Sequence, residues 1–156
     1  MTVIKKGSAK VDSSGENSAL GPYRAELISD SAGLTQFGAF IEELPPGSSS
    51  SHPHWHAEED EMVLILSGSI TLIENHVETT LHPGDAACWK AGDPTSHCME
   101  NRSDAPVRYV VIGTRARSDT VTYPQMDRVL HFDRDTESRR YTTLAGAPAN
   151  APGTSD

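Results

Sequence analysis

Short runs of alternating apolar and polar residues follow one another along most of this sequence. One such run covers 36–44, and another places Ile70 and Leu72 between polar neighbours. A period of two is typical of strands that bury one face, and the 3.6-residue period of helices is weak throughout. The alternation predicts strands at 23–28, 36–44, 53–57, 61–67, 69–74, 77–82, 85–89, 96–101 and 106–114.

Turn signals separate these predicted strands. Pro45-Pro46-Gly47 follows 36–44, Asn75-His76 lies between two strands that read as a hairpin, and Pro83-Gly84 ends the second of them. The chain holds 12 glycines and 10 prolines in 156 residues, a length that allows one domain. Many short strands joined by turns predict an all-β fold, a sandwich or a closed barrel.

The pattern divides the chain into four parts. Residues 1–20 are rich in Ser, Gly and Lys, and we interpret them as an N-terminal arm that is mobile or forms a lone edge strand. The predicted barrel covers 21–116. Short strand-like pieces within 117–144 are expected to pack over the barrel as a C-terminal extension. The Ala/Pro/Gly-rich segment 145–156 is expected to be a disordered tail.

Charge and composition exclude several classes of partner. The formal net charge of −9 argues against nucleic acid and against an anionic membrane surface, because both are bound through basic patches. No apolar run approaches the length of about 18 residues needed to span a membrane, and no apolar stretch follows the first lysines, so we expect a cytoplasmic protein. Cys88 and Cys98 are too few for a disulfide framework, and we expect reduced thiols on core strands.

Candidate chemistry begins with three histidines on alternate positions. His52, His54 and His56 would point to one side of an extended strand, and Glu61 opens the apolar run 62–66. A buried carboxylate is unfavourable unless it is paired or bound to a metal. Imidazoles and a carboxylate that converge on one point make a binding site for a divalent transition metal.

A second segment, 84–101, completes this set. It contains a glycine turn at Gly84, a short apolar strand, a second turn at Gly92, and then His97 and Asn101. Because only a hairpin separates the two segments, antiparallel neighbours would bring His97 beside the first group.

The two segments resemble the paired motifs of the cupin superfamily. The first motif matches in His54-x-His56, four residues, Glu61, six residues, Gly68, and the second closes with His97, three residues, Asn101. The sequence departs from the motifs in loops and turns: six residues separate Gly47 from His54, Lys90 replaces the usual proline, and four residues separate Gly92 from His97. The resemblance implies one cupin domain, a double-stranded β-helix or jelly-roll barrel, with His54, His56, Glu61 and His97 as metal ligands.

The resemblance also implies a function. Small single-domain bacterial cupins include sugar and sugar-phosphate isomerases, so we expect an enzyme of that type with one divalent ion of Mn, Fe, Ni, Co or Zn and a small-molecule substrate. The alternatives are a metal-dependent dioxygenase and a non-catalytic module that binds or senses a small ligand. No general base stands out. His52 is interpreted as a residue at the rim of the site, and Lys90 as an exposed lysine or a phosphate contact.

A homodimer is expected as well. An arm such as 2–11 could pair with an exposed sheet edge, and small cupins are often dimers.

Overall fold

A computed structural model describes residues 2–15 and 18–153, and within them the chain is built almost entirely of strands. One five-residue helix, α1 (Ile28–Ala32), and one 3₁₀ turn, Pro124–Met126, interrupt them. The strands are β1 Lys10–Ser14, β2 Tyr23–Leu27, β3 Phe37–Leu44, β4 Trp55–His56, β5 Glu61–Ser67, β6 Ile70–Glu74, β7 Val77–Leu81, β8 Ala86–Trp89, β9 His97–Glu100, β10 Val107–Thr114, β11 Ser118–Tyr123, β12 Arg128–Asp133, β13 Ser138–Thr142 and β14 Pro148–Ala149.

The strands form three antiparallel sheets. A six-stranded sheet has the order β1-β2-β3-β10-β5-β8, and a three-stranded sheet has the order β7-β6-β9. The main apolar core draws its side chains from both of these sheets, and it includes Leu44, Val63, Ile65, Ile70, Leu72, Met99 and Tyr109. The alternation seen in the sequence therefore buries one face of each sheet against the other, and the prediction of an all-β fold is confirmed.

The predicted strands agree closely with those observed between residues 36 and 114. The hairpin turn at Asn75-His76 is also confirmed, since both residues adopt positive φ, 44° and 72°, as a tight two-residue turn requires. The segment predicted at 53–57 is shorter, with two residues in β4 and one bridge from His54 to His97. The helix α1 was not predicted, and its five residues are too few to show a helical period.

The third sheet comes mainly from the C-terminal part of the chain. Its order is β14-β13-β12-β11-β4, so the extension joins the first histidine segment through β11. Val121 pairs with His56 and Thr122 with Trp55. This pairing places the extension directly beside the histidines.

The ends of the chain are described in part. In the arm, β1 pairs with β2 at the edge of the six-stranded sheet. The tail differs from the expectation of disorder over residues 145–153, because Thr142 pairs with Pro148 and the Thr143 N–H donates to the Ala147 carbonyl. Residues 154–156 lie outside the described residues.

Two further findings concern membranes and cysteines. Over residues 2–15 and 18–153, no helix has both the length and the apolar character that crossing a membrane would take. Cys98 is buried, but Cys88 is exposed, so the expectation that both thiols lie in the core is wrong for Cys88. Its strand, β8, lies at the edge of the six-stranded sheet, and alternate residues of β8 face outward.

Candidate metal centre

The four residues predicted as metal ligands lie together at one end of the space between the sheets. The Glu61 Oε2 atom is 3.3 Å from His97 Nε2, 3.7 Å from His56 Nε2 and 4.0 Å from His54 Nε2. Ligand atoms of His54, His56 and Glu61 all lie within 4.8 Å of one another, and His97 adjoins this group through its contact with Glu61. Their role as ligands stays a prediction.

Backbone pairing sets this convergence. The N–H of His54 donates to the carbonyl of His97 at 3.1 Å, and the N–H of His97 donates back at 2.9 Å. Glu61 is the first residue of β5 and pairs across the sheet with Trp89 and Gly113. The site is thus held by three strands and one bridge rather than by a flexible loop, which fixes the side-chain directions.

Each histidine has an oxygen beside its Nδ1 atom. The His52 carbonyl lies 3.0 Å from Nδ1 of His54, and the Thr95 carbonyl lies 3.3 Å from Nδ1 of His97. An Asp119 carboxylate oxygen lies 2.6 Å from Nδ1 of His56. Acceptors at these positions would hold a proton on Nδ1 once an ion displaces the hydrogen bond between Nε2 of His97 and Glu61, an arrangement usual for metal-binding histidines.

Two aromatic rings hold the imidazoles in place. The ring of His97 stacks on Trp89 with centroids 3.8 Å apart and an angle of 9° between the planes. The ring of His54 stacks on Tyr123 at 5.7 Å. These contacts restrict the rotation of both imidazoles, so the Nε2 atoms keep their positions.

The protonation states of His54 and Glu61 suit the binding of a metal ion. Burial lowers the pKa of His54 to about 4, so this imidazole is neutral at neutral pH. Burial alone would raise the pKa of Glu61, but the hydrogen bond with His97 and the nearby imidazoles hold it below its usual value. A neutral imidazole and an ionised carboxylate are the forms that bind a divalent transition metal, so the residues present fit such an ion.

A second group of possible ligands overlaps the first. Atoms of His56, Glu59 and Asp119 also lie within 4.8 Å of one another. Here, however, Glu59 accepts from Arg134 at 2.7 Å and from the Ala116 N–H at 2.9 Å, while Asp119 accepts from the Glu58 N–H at 2.9 Å. Because these carboxylates already have donors, the site around Glu61 is the better candidate.

The site opens into the interior of the barrel. A cavity of about 180 Å³ is lined by His54, Glu61 and His97 together with Glu42 and Tyr109. This volume is smaller than the roughly 300–1,000 Å³ of typical ligand pockets, so it suits a very small molecule or the reacting end of a larger one.

Glu42 is a buried carboxyl group that the sequence analysis did not assign. Its exposed fraction is 8%, and the Tyr109 hydroxyl donates to its Oε2 at 2.5 Å. Burial raises the pKa of Glu42 to about 7, with the charge of Glu61 adding to the effect and the Tyr109 hydrogen bond opposing it. This group can therefore gain or lose a proton near neutral pH. The signal in the sequence was a glutamate on the same strand face as Phe40 and Leu44.

Asp119 and Tyr123 were also missed, since both belong to the C-terminal extension. Among the other residues singled out from sequence, His52 contributes its backbone carbonyl to His54. Lys90 is exposed and does not line the 180 Å³ cavity, so a phosphate contact inside this cavity is not available to it.

Known proteins show what this architecture resembles. The family described as "Cupin domain" matches residues 40–113. A sugar phosphate isomerase of the cupin superfamily from Silicibacter pomeroyi DSS-3 is 34% identical, with a TM-score of 0.87 over 96% of this chain and 98% of the other. A proposed sugar phosphate isomerase from Acidithiobacillus ferrooxidans is 25% identical, with a TM-score of 0.76 over 83% of this chain and 81% of the other.

More distant similarity concerns the fold alone. The polyketide cyclase RemF from Streptomyces resistomycificus is 20% identical, with a TM-score of 0.58 over 73% of this chain and 79% of the other. No curated protein matches the sequence. The antiparallel sheets, the matched family region and the 34% identity over nearly the whole chain lead to one conclusion: this chain belongs to the cupin superfamily.

Proposed function

We propose that this cupin is a metal-dependent isomerase acting on a sugar phosphate. The observation that carries the proposal is the cavity that three of the four candidate ligands, His54, Glu61 and His97, share with the buried Glu42–Tyr109 pair. A site that both orients oxygen atoms and moves a proton is what the interconversion of an aldose and a ketose needs. The similarity to a sugar phosphate isomerase over nearly the whole chain supports the substrate class.

His54, His56, Glu61 and His97 would hold the ion, one of Mn, Fe, Co, Ni or Zn. Three imidazoles and one carboxylate fill up to four positions of an octahedral ion. When bound, the ion would polarise the carbonyl and the neighbouring hydroxyl of the sugar. The stacking of His97 on Trp89 and of His54 on Tyr123 keeps the ligand atoms in position during binding.

Glu42 is the group we assign to proton transfer. In the direction from aldose to ketose, the ionised carboxylate would take the proton from the hydroxyl-bearing carbon beside the carbonyl and return it to the former carbonyl carbon. The hydroxyl proton would pass to the former carbonyl oxygen, so that the carbonyl group moves by one carbon. The Tyr109 hydroxyl donates to Oε2 and orients the carboxyl group, which leaves Oε1 for the substrate. Tyr109 is fully buried, and burial raises its pKa well above the usual value, so it stays protonated in this role.

The test is isomerisation by protein reconstituted separately with each ion. Aldose and ketose phosphates of five and six carbons would be incubated in D₂O, and NMR would follow both interconversion and deuterium entry at the reacting carbon. Glu42→Gln should lower kcat about 100-fold or more while metal content stays unchanged. The matched control is Glu43→Gln, which alters the neighbouring, more exposed carboxylate of the same strand.

Other results would redirect the proposal. Fully loaded protein that converts none of these sugar phosphates would refute it. Substrate-dependent O₂ uptake by the iron form would instead favour the dioxygenase alternative, which uses the same ligand set. Ligand binding with no turnover would favour a sensing module.

A further inference from the structure

A second cavity reaches the candidate metal site from the side of the C-terminal extension. It has a volume of about 270 Å³, and His54 and His56 form part of its wall. Phe132 on β12, Arg139 on β13 and Arg134 in the turn between these strands also line it, and both strands belong to the same sheet as β4. The cavity therefore joins two imidazoles to two guanidinium groups.

One aromatic ring positions both arginines. The guanidinium carbon of Arg134 lies 5.0 Å from the centroid of the Phe132 ring, and that of Arg139 lies 4.8 Å from it. Phe132 and Arg139 pair directly across β12 and β13, so the contact is set by the sheet register. Cation–π attraction favours these positions and reduces the freedom of two long side chains.

Of these two arginines, only Arg134 has a carboxylate partner within the described part of the chain. Arg134 donates to Glu59 at 2.7 Å and to the Ala116 carbonyl at 3.0 Å. Among the described residues, Arg139 forms no ion pair with a carboxylate, and it is an exposed residue that lines the cavity. The other acidic group of the cavity wall, Asp119, is engaged by His56 and by the Glu58 N–H. One cation is thus left for a ligand, in a protein whose net charge is −9.

We propose that Arg139, assisted by Arg134, binds the phosphate group of the substrate. A guanidinium group offers parallel N–H donors that match two oxygens of a phosphate monoester, and the positive charge strengthens both hydrogen bonds. A phosphate held here leaves the sugar to extend toward His54 and His56. The assignment rests on the proposed function, since it names the residues that would select a phosphorylated sugar over a neutral one.

Binding of inorganic phosphate tests the site without any turnover. Isothermal titration at constant ionic strength would compare wild type, Arg139→Ala, Arg139→Lys and Arg140→Ala, each metal-free and metal-loaded. Arg140 is the control because it is the next residue of β13, is exposed and pairs with His131 instead of Phe132. We expect Arg139→Ala to weaken phosphate binding at least tenfold, Arg139→Lys to weaken it less, and Arg140→Ala to leave it unchanged.

The same variants separate this proposal from the proposed function. Equal phosphate affinity in wild type and Arg139→Ala, or no binding by wild type, would overturn the phosphate site. Isomerisation with an unchanged KM in Arg139→Ala would also overturn it and leave the proposed function standing. If phosphate binding depends on Arg139 but the protein isomerises no sugar phosphate, the result would support the phosphate site and refute the isomerase activity. The site would be supported further if wild type binds ribose 5-phosphate more tightly than ribose, whereas Arg139→Ala does not.

Discussion

The Oδ2 atom of Asp119 lies 2.6 Å from the Nδ1 atom of His56, although 63 residues separate them in the chain. The pairing of β11 with β4 creates this contact. Burial alone would raise the pKa of Asp119, but the hydrogen bond with His56 holds it below the usual value, so the carboxylate is ionised. The C-terminal extension therefore sets the orientation and the protonation of a candidate ligand.

Replacement of Asp119 by Asn should weaken metal binding by about 10–100-fold. His56 and the Glu58 N–H donate to different oxygens of Asp119, Oδ2 and Oδ1, so an NH₂ group in place of either oxygen leaves one of these donors without its acceptor. Competition with a chromophoric chelator would give the dissociation constants. Asp135→Asn, in an exposed ion pair with Arg117, is the control, and equal affinity in both variants would contradict the role given to Asp119.

The four predicted ligands should determine metal content. Protein purified without chelator or metal-affinity resin should hold about one equivalent of a divalent transition metal, and His56→Ala and Glu61→Gln should each lose most of it. Elemental analysis measures this directly. His76→Ala, in the exposed hairpin turn, should keep the full content. Wild type that binds no ion after reconstitution would refute the site.

Glu42 should make the metal-free protein less stable as pH rises. Its pKa is raised from 4.5 to about 7 by folding, so between these values the folded protein holds a proton that the unfolded chain has released. By linkage, stability falls as pH increases through this range. Glu42→Gln should remove the effect and gain roughly 2–3 kcal/mol relative to wild type between pH 5 and pH 8. Urea unfolding at both pH values tests this, and Glu43→Gln should show no such gain.

Gly68 should tolerate alanine less well than Gly47. Both residues have φ near +80°, so alanine at either position would be strained by about 1–2 kcal/mol. At Gly68 a Cβ atom would also lie 2.8 Å from the Pro106 carbonyl oxygen, whereas at Gly47 it would meet nothing within 4 Å. Thermal unfolding should therefore show a clearly larger loss of stability for Gly68→Ala. Equal losses would mean that the backbone conformation alone matters.

Asn101 should be important for stability. Its side-chain amide donates to the carbonyls of Leu44 and Ala105, and its Oδ1 accepts from Ser103. It is 1% exposed, so Asn101→Ala would leave buried polar groups without partners and should lose roughly 2–4 kcal/mol. Denaturant unfolding measures the loss. Ser103→Ala, which removes one partner near the surface, should lose less.

Local pattern was sufficient to predict most of the strands. The apolar–polar alternation between 36 and 114 reports which face of each strand is buried, and turn residues mark the ends. The helix α1 and the strand β14 were missed because each is too short to show a period. The exposure of Cys88 was missed because a sequence does not say which strand lies at a sheet edge. The predicted cytoplasmic location and homodimer remain predictions.

The sequence by itself determined the candidate ligands, since His54, His56, Glu61 and His97 stand at motif spacing within or beside short strands. Only the tertiary structure decided what surrounds them. Asp119 contacts His56, and Arg139 lines the cavity beside His54 and His56, because the pairing of β11 with β4 joins residues far apart in the chain, and such a pairing leaves no local period. The raised pKa of Glu42 likewise depends on burial beside Tyr109, which follows from the packing of β3 against β10. The spacing of residues along the chain specifies which metal-ligating side chains are present. Long-range packing sets the charge and orientation of these side chains and their access to a substrate.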